Sequence, residues 1–277
     1  MKKILSAVFL LLSLFSAVFS IEIKHIREFA LFQDEKTFIS IPGSFFVTED
    51  DMLFLIDKKA SNIKIFDADG KLVNVFGKKG LGPDEFILPL VSAYKKPFVA
   101  LADTGRRRFF LYKKTGKHNL EFVKWCLNLD MPHDIALMND GKFLVAGSKL
   151  DENGKWQNLY IYDCEKNECD FLLNLAMSYG YKSDNDFEKD FSNKLEYIGA
   201  IQYCDWVDDN IYQVWTGDIN INKINIKTRE LTSFGKKTEN YVPPYVTPEI
   251  KKAYFSKQPK VILDARSRMS YVMDIFT

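Results

Sequence analysis

Three histidines, a run of three arginines, an acidic loop and four cysteines are the residues of this 277-residue chain that could do chemistry. His25, His118 and His133 are scattered, and none has an acid or a cysteine at ligand spacing. His133, in Met131-Pro132-His133-Asp134, is the strongest of the three as a ligand contact. Arg106-Arg107-Arg108 is a basic cluster on a turn, so Arg106 and Arg107 could meet an anionic ligand; a solvated turn is the plainer reading. Ser183-Asp184-Asn185-Asp186-Phe187-Glu188 starts like a calcium loop. It lacks the sixth-position glycine and the distal glutamate that such a loop needs, so a solvated acidic loop is expected. No Gly-x-Ser-x-Gly elbow and no phosphate loop occurs. No catalytic set and no cofactor site is therefore expected.

Cys164 and Cys169 flank Glu165-Lys166-Asn167-Glu168, which reads as a hairpin tip, so a cross-hairpin disulfide between them is plausible. Cys126 and Cys204 are expected as buried thiols, and four thiols in the core is the alternative. Spacing does not decide the pairing. Zinc is not indicated, because the CxxC pairs of structural zinc sites are absent.

The elements that must position these residues come from a globular composition, 47% hydrophobic and 27% charged. Aromatics make up 14%, which favours half-buried strands. Lys2 and Lys3, then an uncharged run from Ile4 to Ser20, read as a signal peptide over residues 1–20. The alternative is an uncleaved anchor, though the run is slightly short of the roughly 20 residues a span needs. No second long apolar run follows, so no membrane span is expected after cleavage. Cleavage removes two lysines and no acid, leaving 36 basic against 37 acidic residues and a net charge of −1. That near-neutral balance argues against a nucleic-acid partner.

A repeat organises residues 21–277. Ile63–Lys71 is a strand and turn, and Phe109–Lys117 has the same shape; Leu159–Asp163 and Ile221–Asn225 follow it. Phe66, Tyr112, Tyr162 and Ile224 are then equivalent, with spacings of 46, 50 and 62. The first two spacings match a propeller blade of roughly 40–50 residues. The third holds an insertion at 176–197. Each repeat divides into four short strands, which predicts an all-β propeller of four-stranded blades. Four full blades are predicted, with a partial fifth beginning at 260–264 or 270–276.

Gly77-Lys78-Lys79-Gly80-Leu81-Gly82-Pro83-Asp84-Glu85-Phe86, then Pro89, Val99–Arg108, Tyr112 and Gly116, resembles the NHL repeat. The resemblance is specific over 77–116, fair over 53–77 and weak over 134–235. It implies an exported bacterial six-bladed β-propeller of the NHL or TolB-like type. The motif residues have structural work to do: glycines for positive φ, Pro89 for the start of an inner strand. Asp103 and Arg108 flank a tight turn and could pair across it, although Asn62 replaces the arginine beside Asp57.

Six blades at this period need roughly seventy residues more than the four counted. The expectation is a six-bladed type truncated at the C-terminus, with a smaller ring of four or five blades as the alternative. A complete ring would be a monomer. The 178–197 loop mixes acids with Tyr179, Tyr181 and Phe187, a candidate recognition surface. Thr247-Pro248 predicts a short helix at 248–256. The function expected is a binding or scaffold module for a protein, peptide or glycan, not an enzyme. The resemblance also offers a metal-assisted lyase or hydrolase using His133 in the channel, without the repeated histidines such enzymes carry. Export to the periplasm, cell surface or medium completes the reading.

Overall fold

A computed structural model describes residues 31, 37–127, 131–174, 202–215 and 221–235. The signal peptide, the 178–197 loop with Tyr179, Tyr181 and Phe187, the 248–256 helix and the partial fifth blade lie outside these residues. The chain is all-β: among the described residues it forms four four-stranded antiparallel sheets, each a blade. Blade one is β1 (Pro42–Val47), β2 (Leu53–Asp57), β3 (Asn62–Phe66) and β4 (Leu72–Phe76). A short parallel pair follows, β5 (Lys78–Lys79) and β6 (Glu85–Phe86). Blade two is β7 (Pro89–Lys95), β8 (Phe98–Asp103), β9 (Arg108–Thr115) and β10 (Asn119–Leu127). Blade three is β11 (Met131–Leu137), β12 (Phe143–Leu150), β13 (Trp156–Asp163) and β14 (Glu168–Asn174). Blade four is β15 (Gln202–Val207), β16 (Asn210–Trp215), β17 (Ile221–Asn225) and β18 (Leu231–Phe234).

The blades stack face to face, which explains why their middle strands read as unbroken apolar runs. β2 is buried at every position, whereas the outer strand β4 alternates between half-buried and exposed. A blade cannot cover both its faces alone, so the core lies between neighbours. Phe54, Ile63 and Ile65 of blade one pack on Leu101, Phe110 and Tyr112 of blade two. Ala102 and Phe109 then meet Phe143, Val145 and Tyr160 of blade three. Leu144 and Leu159 meet Ile211 and Ile224 of blade four.

The glycine-rich loop between blades one and two is a plug. Gly77 takes φ 81°, open to glycine at no steric cost, and turns the chain out of β4. Phe86 is then inserted with no exposed surface, edge-on to Phe110 at 5.7 Å. Burying such a ring stabilises by about 2–3 kcal/mol.

The disulfide differs from expectation. Cys164 is bonded to Cys126 of β10, with Cα atoms 5.6 Å apart, while Cys169 and Cys204 remain thiols. The hairpin register explains it: Tyr162 stands opposite Cys169, so Cys164 lies two residues diagonal to Cys169. Diagonal Cα atoms are about 7–8 Å apart, beyond what a disulfide spans without moving backbone. Cys126 belongs to the neighbouring blade, and the bond joins blade two to blade three.

Candidate functional site

Proline places the wall of the cavity between the innermost strands. Pro42, Pro89 and Pro132 stand opposite Asp57, Asp103 and Gly147. Each is followed at once by a register shift, so the innermost strands β1, β7 and β11 all carry a β-bulge at the same level. Bulges re-aim a side chain and recur beside functional sites. The residues left out of the ladder there are Gly43 and Ser44, Leu90, and His133, of which His133 alone carries a titratable side chain. All four line a cavity of about 750 Å³ bounded by β1, β7, β11 and β15.

One rung further, polar side chains brace neighbouring blades. The Ser92 N–H donates to Ser44 Oγ at 2.6 Å, and the two hydroxyls lie 2.8 Å apart. Blades three and four repeat the bond with a carboxylate: the Cys204 N–H donates to Asp134 Oδ2 at 2.9 Å. Asp134 Oδ1 accepts from its own neighbour Ile135 at 2.9 Å. Asp134 is thereby engaged as a cross-brace. At the far end of the cavity the Lys95 ammonium sits over the Trp206 ring, 3.8 Å from its centre.

His133 is half-buried, and its Nδ1 is closed to solvent with no hydrogen-bond partner. Burial lowers its pKa from the ordinary 6.5, so the imidazole is neutral near pH 7. A neutral imidazole facing a cavity offers one donor and one acceptor.

The arginines do other work. Arg106 Nη1 donates to the Gly82 and Glu85 carbonyls at 2.6 and 2.7 Å, and its guanidinium lies 5.0 Å from the Phe110 ring centre. It locks the glycine-rich plug, which leaves little of it for a ligand. Arg107 is exposed, with φ 54°. Asp103 does not pair with Arg108, although the two are directly opposite in register. Its carboxylate accepts the N–H groups of Ile87, Leu88 and Arg106 at 2.8, 2.9 and 3.1 Å, and Arg108 lies over Trp125 at 3.8 Å. Asp57 does the same in blade one, accepting from Ser40, Ile41 and Ala60 at 3.0, 3.4 and 3.2 Å. These aspartates clamp the segment leading into each innermost strand. Aligning the chain on its prolines would have exposed that role; alignment on Phe66 and Tyr112 did not.

Among the described residues there is no group of three or more His, Cys, Asp or Glu placed to hold a metal ion. Nor is any helix among them long and apolar enough to cross a membrane.

Comparison with known proteins agrees with this architecture. The profile of the DUF5128 family, described as a 6-bladed β-propeller, matches residues 34–252. A protein of Bacteroides fragilis described as exported is similar in fold, at 17% identity and a TM-score of 0.58, over 83% of this chain and 59% of its own. A DUF4221 member from Bacteroides vulgatus matches at 12% identity and a TM-score of 0.51, over 78% of this chain and 63% of its own. The chain thus spans about three-fifths of the length of these solved relatives. No curated protein matches the sequence.

Proposed function

The chain belongs to the DUF5128 family of 6-bladed β-propellers, and from that premise we propose an exported binding module that takes a protein, peptide or glycan at the mouth of its channel. The observation that carries this reading is His133. Among the described residues at the bulges it is the one titratable side chain, it lines a cavity of about 750 Å³, and its buried Nδ1 has no partner. That volume lies in the range of roughly 300–1,000 Å³ typical of ligand sites. The acid beside it, Asp134, is held by two backbone N–H groups and is poorly placed to serve as a base.

Export is supported by the Lys2-Lys3 leader with its apolar run and by the Cys126–Cys164 bond, which suits an oxidising compartment. The NHL-type reading of residues 77–116 rests on the plug, where Gly77, Phe86, Pro89, Asp103 and Arg106 each have a structural part. The aromatic loop with Tyr179, Tyr181 and Phe187 is proposed as a second contact surface.

Peptide and glycan arrays probed with the full chain test the binding reading. A ligand so found should bind about tenfold more weakly to His133→Ala, the weight of one or two hydrogen bonds. Deletion of 178–197 should weaken binding while the melting temperature holds. Binding that survives both changes, or no array ligand at all, overturns the assignment. N-terminal sequencing of the mature protein tests export; a start near Ile21 is expected, and retention of Met1 overturns it.

A further inference from the structure

Blade three departs from its neighbours in three coordinated ways. The clamp carboxylate supplied by Asp57 and Asp103 is missing, because Gly147 stands opposite Pro132. The bulge carries His133 where the neighbours have Gly43-Ser44 and Leu90. On the next strand out, Asn158 occupies the place of Asn62 and Arg108, facing the two-residue bulge Gly147-Ser148. Asn158 is 0% exposed, and neither its Nδ2 nor its Oδ1 has a partner; Asn62 of blade one shares the unpartnered buried Oδ1, so what sets blade three apart is that both ends of the amide are unmet. A fully buried amide with both ends unmet is rare and demands an explanation.

We propose that this end of blade three binds a small carboxylate, held by Asn158 and His133 at the place where blades one and two carry Asp57 and Asp103. Asn158 Nδ2 and an imidazole N–H would donate to the carboxylate oxygens, as backbone N–H groups do in the neighbouring blades. Asn158 Oδ1 then requires a donor on the same ligand. The occupant is therefore a carboxylate with a hydroxyl or ammonium group on the adjoining carbon. Lys58, in the wall of the cavity that His133 lines, adds a cation on the path by which an anionic guest would enter. Access to Asn158 needs local opening, and the ladder is already interrupted on both sides of Gly147, between Pro132 and Asp134 and between Ala146 and Lys149.

The inference rests on the channel-binding reading only in letting the ligand enter past His133. The test is thermal unfolding and calorimetric titration of the full chain with sodium glycolate, acetate and chloride at equal ionic strength. Glycolate should raise the melting temperature more than acetate, and chloride should not. Asn158→Leu, branched alike at Cγ and apolar, should weaken glycolate binding about tenfold. Gly147→Asp, which supplies the carboxylate covalently, should abolish the response; His133→Leu is the second variant should that chain not fold. Equal effects of glycolate and chloride overturn the proposal, as does a wild-type response from Asn158→Leu. Array binding lost in His133→Ala without any glycolate response sinks this inference alone. A glycolate response without an array ligand sinks the peptide-or-glycan reading alone.

Discussion

Asp103→Ala is the perturbation whose cost follows most directly from the geometry. The Asp103 side chain has no exposed surface and accepts three backbone N–H groups, from Ile87, Leu88 and Arg106. Hydrogen bonds to a charged group contribute about 1.5–3 kcal/mol each, so three bonds set an upper range near 5–9 kcal/mol. Leu88 is 41% exposed and Arg106 is half-buried, so water can reclaim part of what is lost. A cost of about 4 kcal/mol is expected, which at this size shifts the melting temperature by roughly 8–16 °C. Asp103→Asn keeps one accepting oxygen and should cost about half as much. Amide exchange at Ile87, Leu88 and Arg106 should accelerate before that of β8, because the clamp holds the segment and not the blade. Asp57→Ala should be worse. It also strands Lys64, 3.2 Å from Asp57 with both side chains buried, which bonds the Phe38 and Thr37 carbonyls too. Removing one partner of a buried pair costs about 3–5 kcal/mol. A loss below about 1 kcal/mol for Asp103→Ala, or equal costs for Ala and Asn, would refute the clamp.

The remaining expectations follow the same contacts. Cys126→Ser, or reduction, should cost about 4 kcal/mol from a closed loop of 38 residues, read by denaturant unfolding; a mapped peptide joining Cys164 to Cys169 would contradict the inter-blade bond. Arg106→Ala should lose about 2 kcal/mol, because two carbonyl bonds and a ring contact go together; an unchanged melting temperature would show the plug holds without it. The His133 pKa is lowered in the folded state, so the stability tied to its neutral form is full above the unfolded value of 6.5 and drains as pH falls through the folded one. Stability of the wild type should therefore fall faster from pH 7 to 5 than that of His133→Gln; parallel curves would remove the histidine from the acid response. Asp57 acts in a lower window. Burial raises its carboxyl, but the N–H groups of Ser40, Ala60 and Ile41 and the Lys64 ammonium outweigh that and hold it below 3.8. Its contribution should persist above that value and be lost only below it, which urea titrations at pH 5 and pH 3 would compare between wild type and Asp57→Asn.

Much of the fold was legible because strands leave a local mark. The runs at Asn62–Phe66, Leu72–Phe76, Gln202–Val207, Ile221–Asn225 and Leu231–Phe234 are strands at those limits, and the other eleven expected strands differ from the observed ones by a few residues. Polar turns bound them, and alternation or unbroken apolarity marks the edge and the middle of a blade. β5 and β6 were not foreseen, since two residues carry no pattern. The disulfide was misread for a different reason. Cys164 and Cys169 are near in sequence, but pairing depends on register and on which residue the next blade presents, and neither is a local property.

The site was legible only as a lone histidine. Nothing in the order Pro132-His133-Asp134 says that the backbone bulges there; that emerges from the pairing of Pro132 with Gly147 and Asp134 with Ala146. Once the bulge is known, the repeat becomes its own control. Gly43 and Leu90 carry no polar side-chain atom at that level, the Ser44 hydroxyl beside them is bonded to Ser92, and Asp57 and Asp103 show what fills the clamp in blades one and two. Against these two blades, a glycine at 147 by itself is an ordinary substitution, and so is an asparagine at 158. Their coincidence with an unpartnered histidine is not what packing alone would produce, because a core under no other demand would replace Asn158 by an apolar residue and gain stability. The retained polar groups put the demand in blade three, next to the channel, and make Asn158→Leu the substitution whose effect on stability and on glycolate binding should have opposite signs.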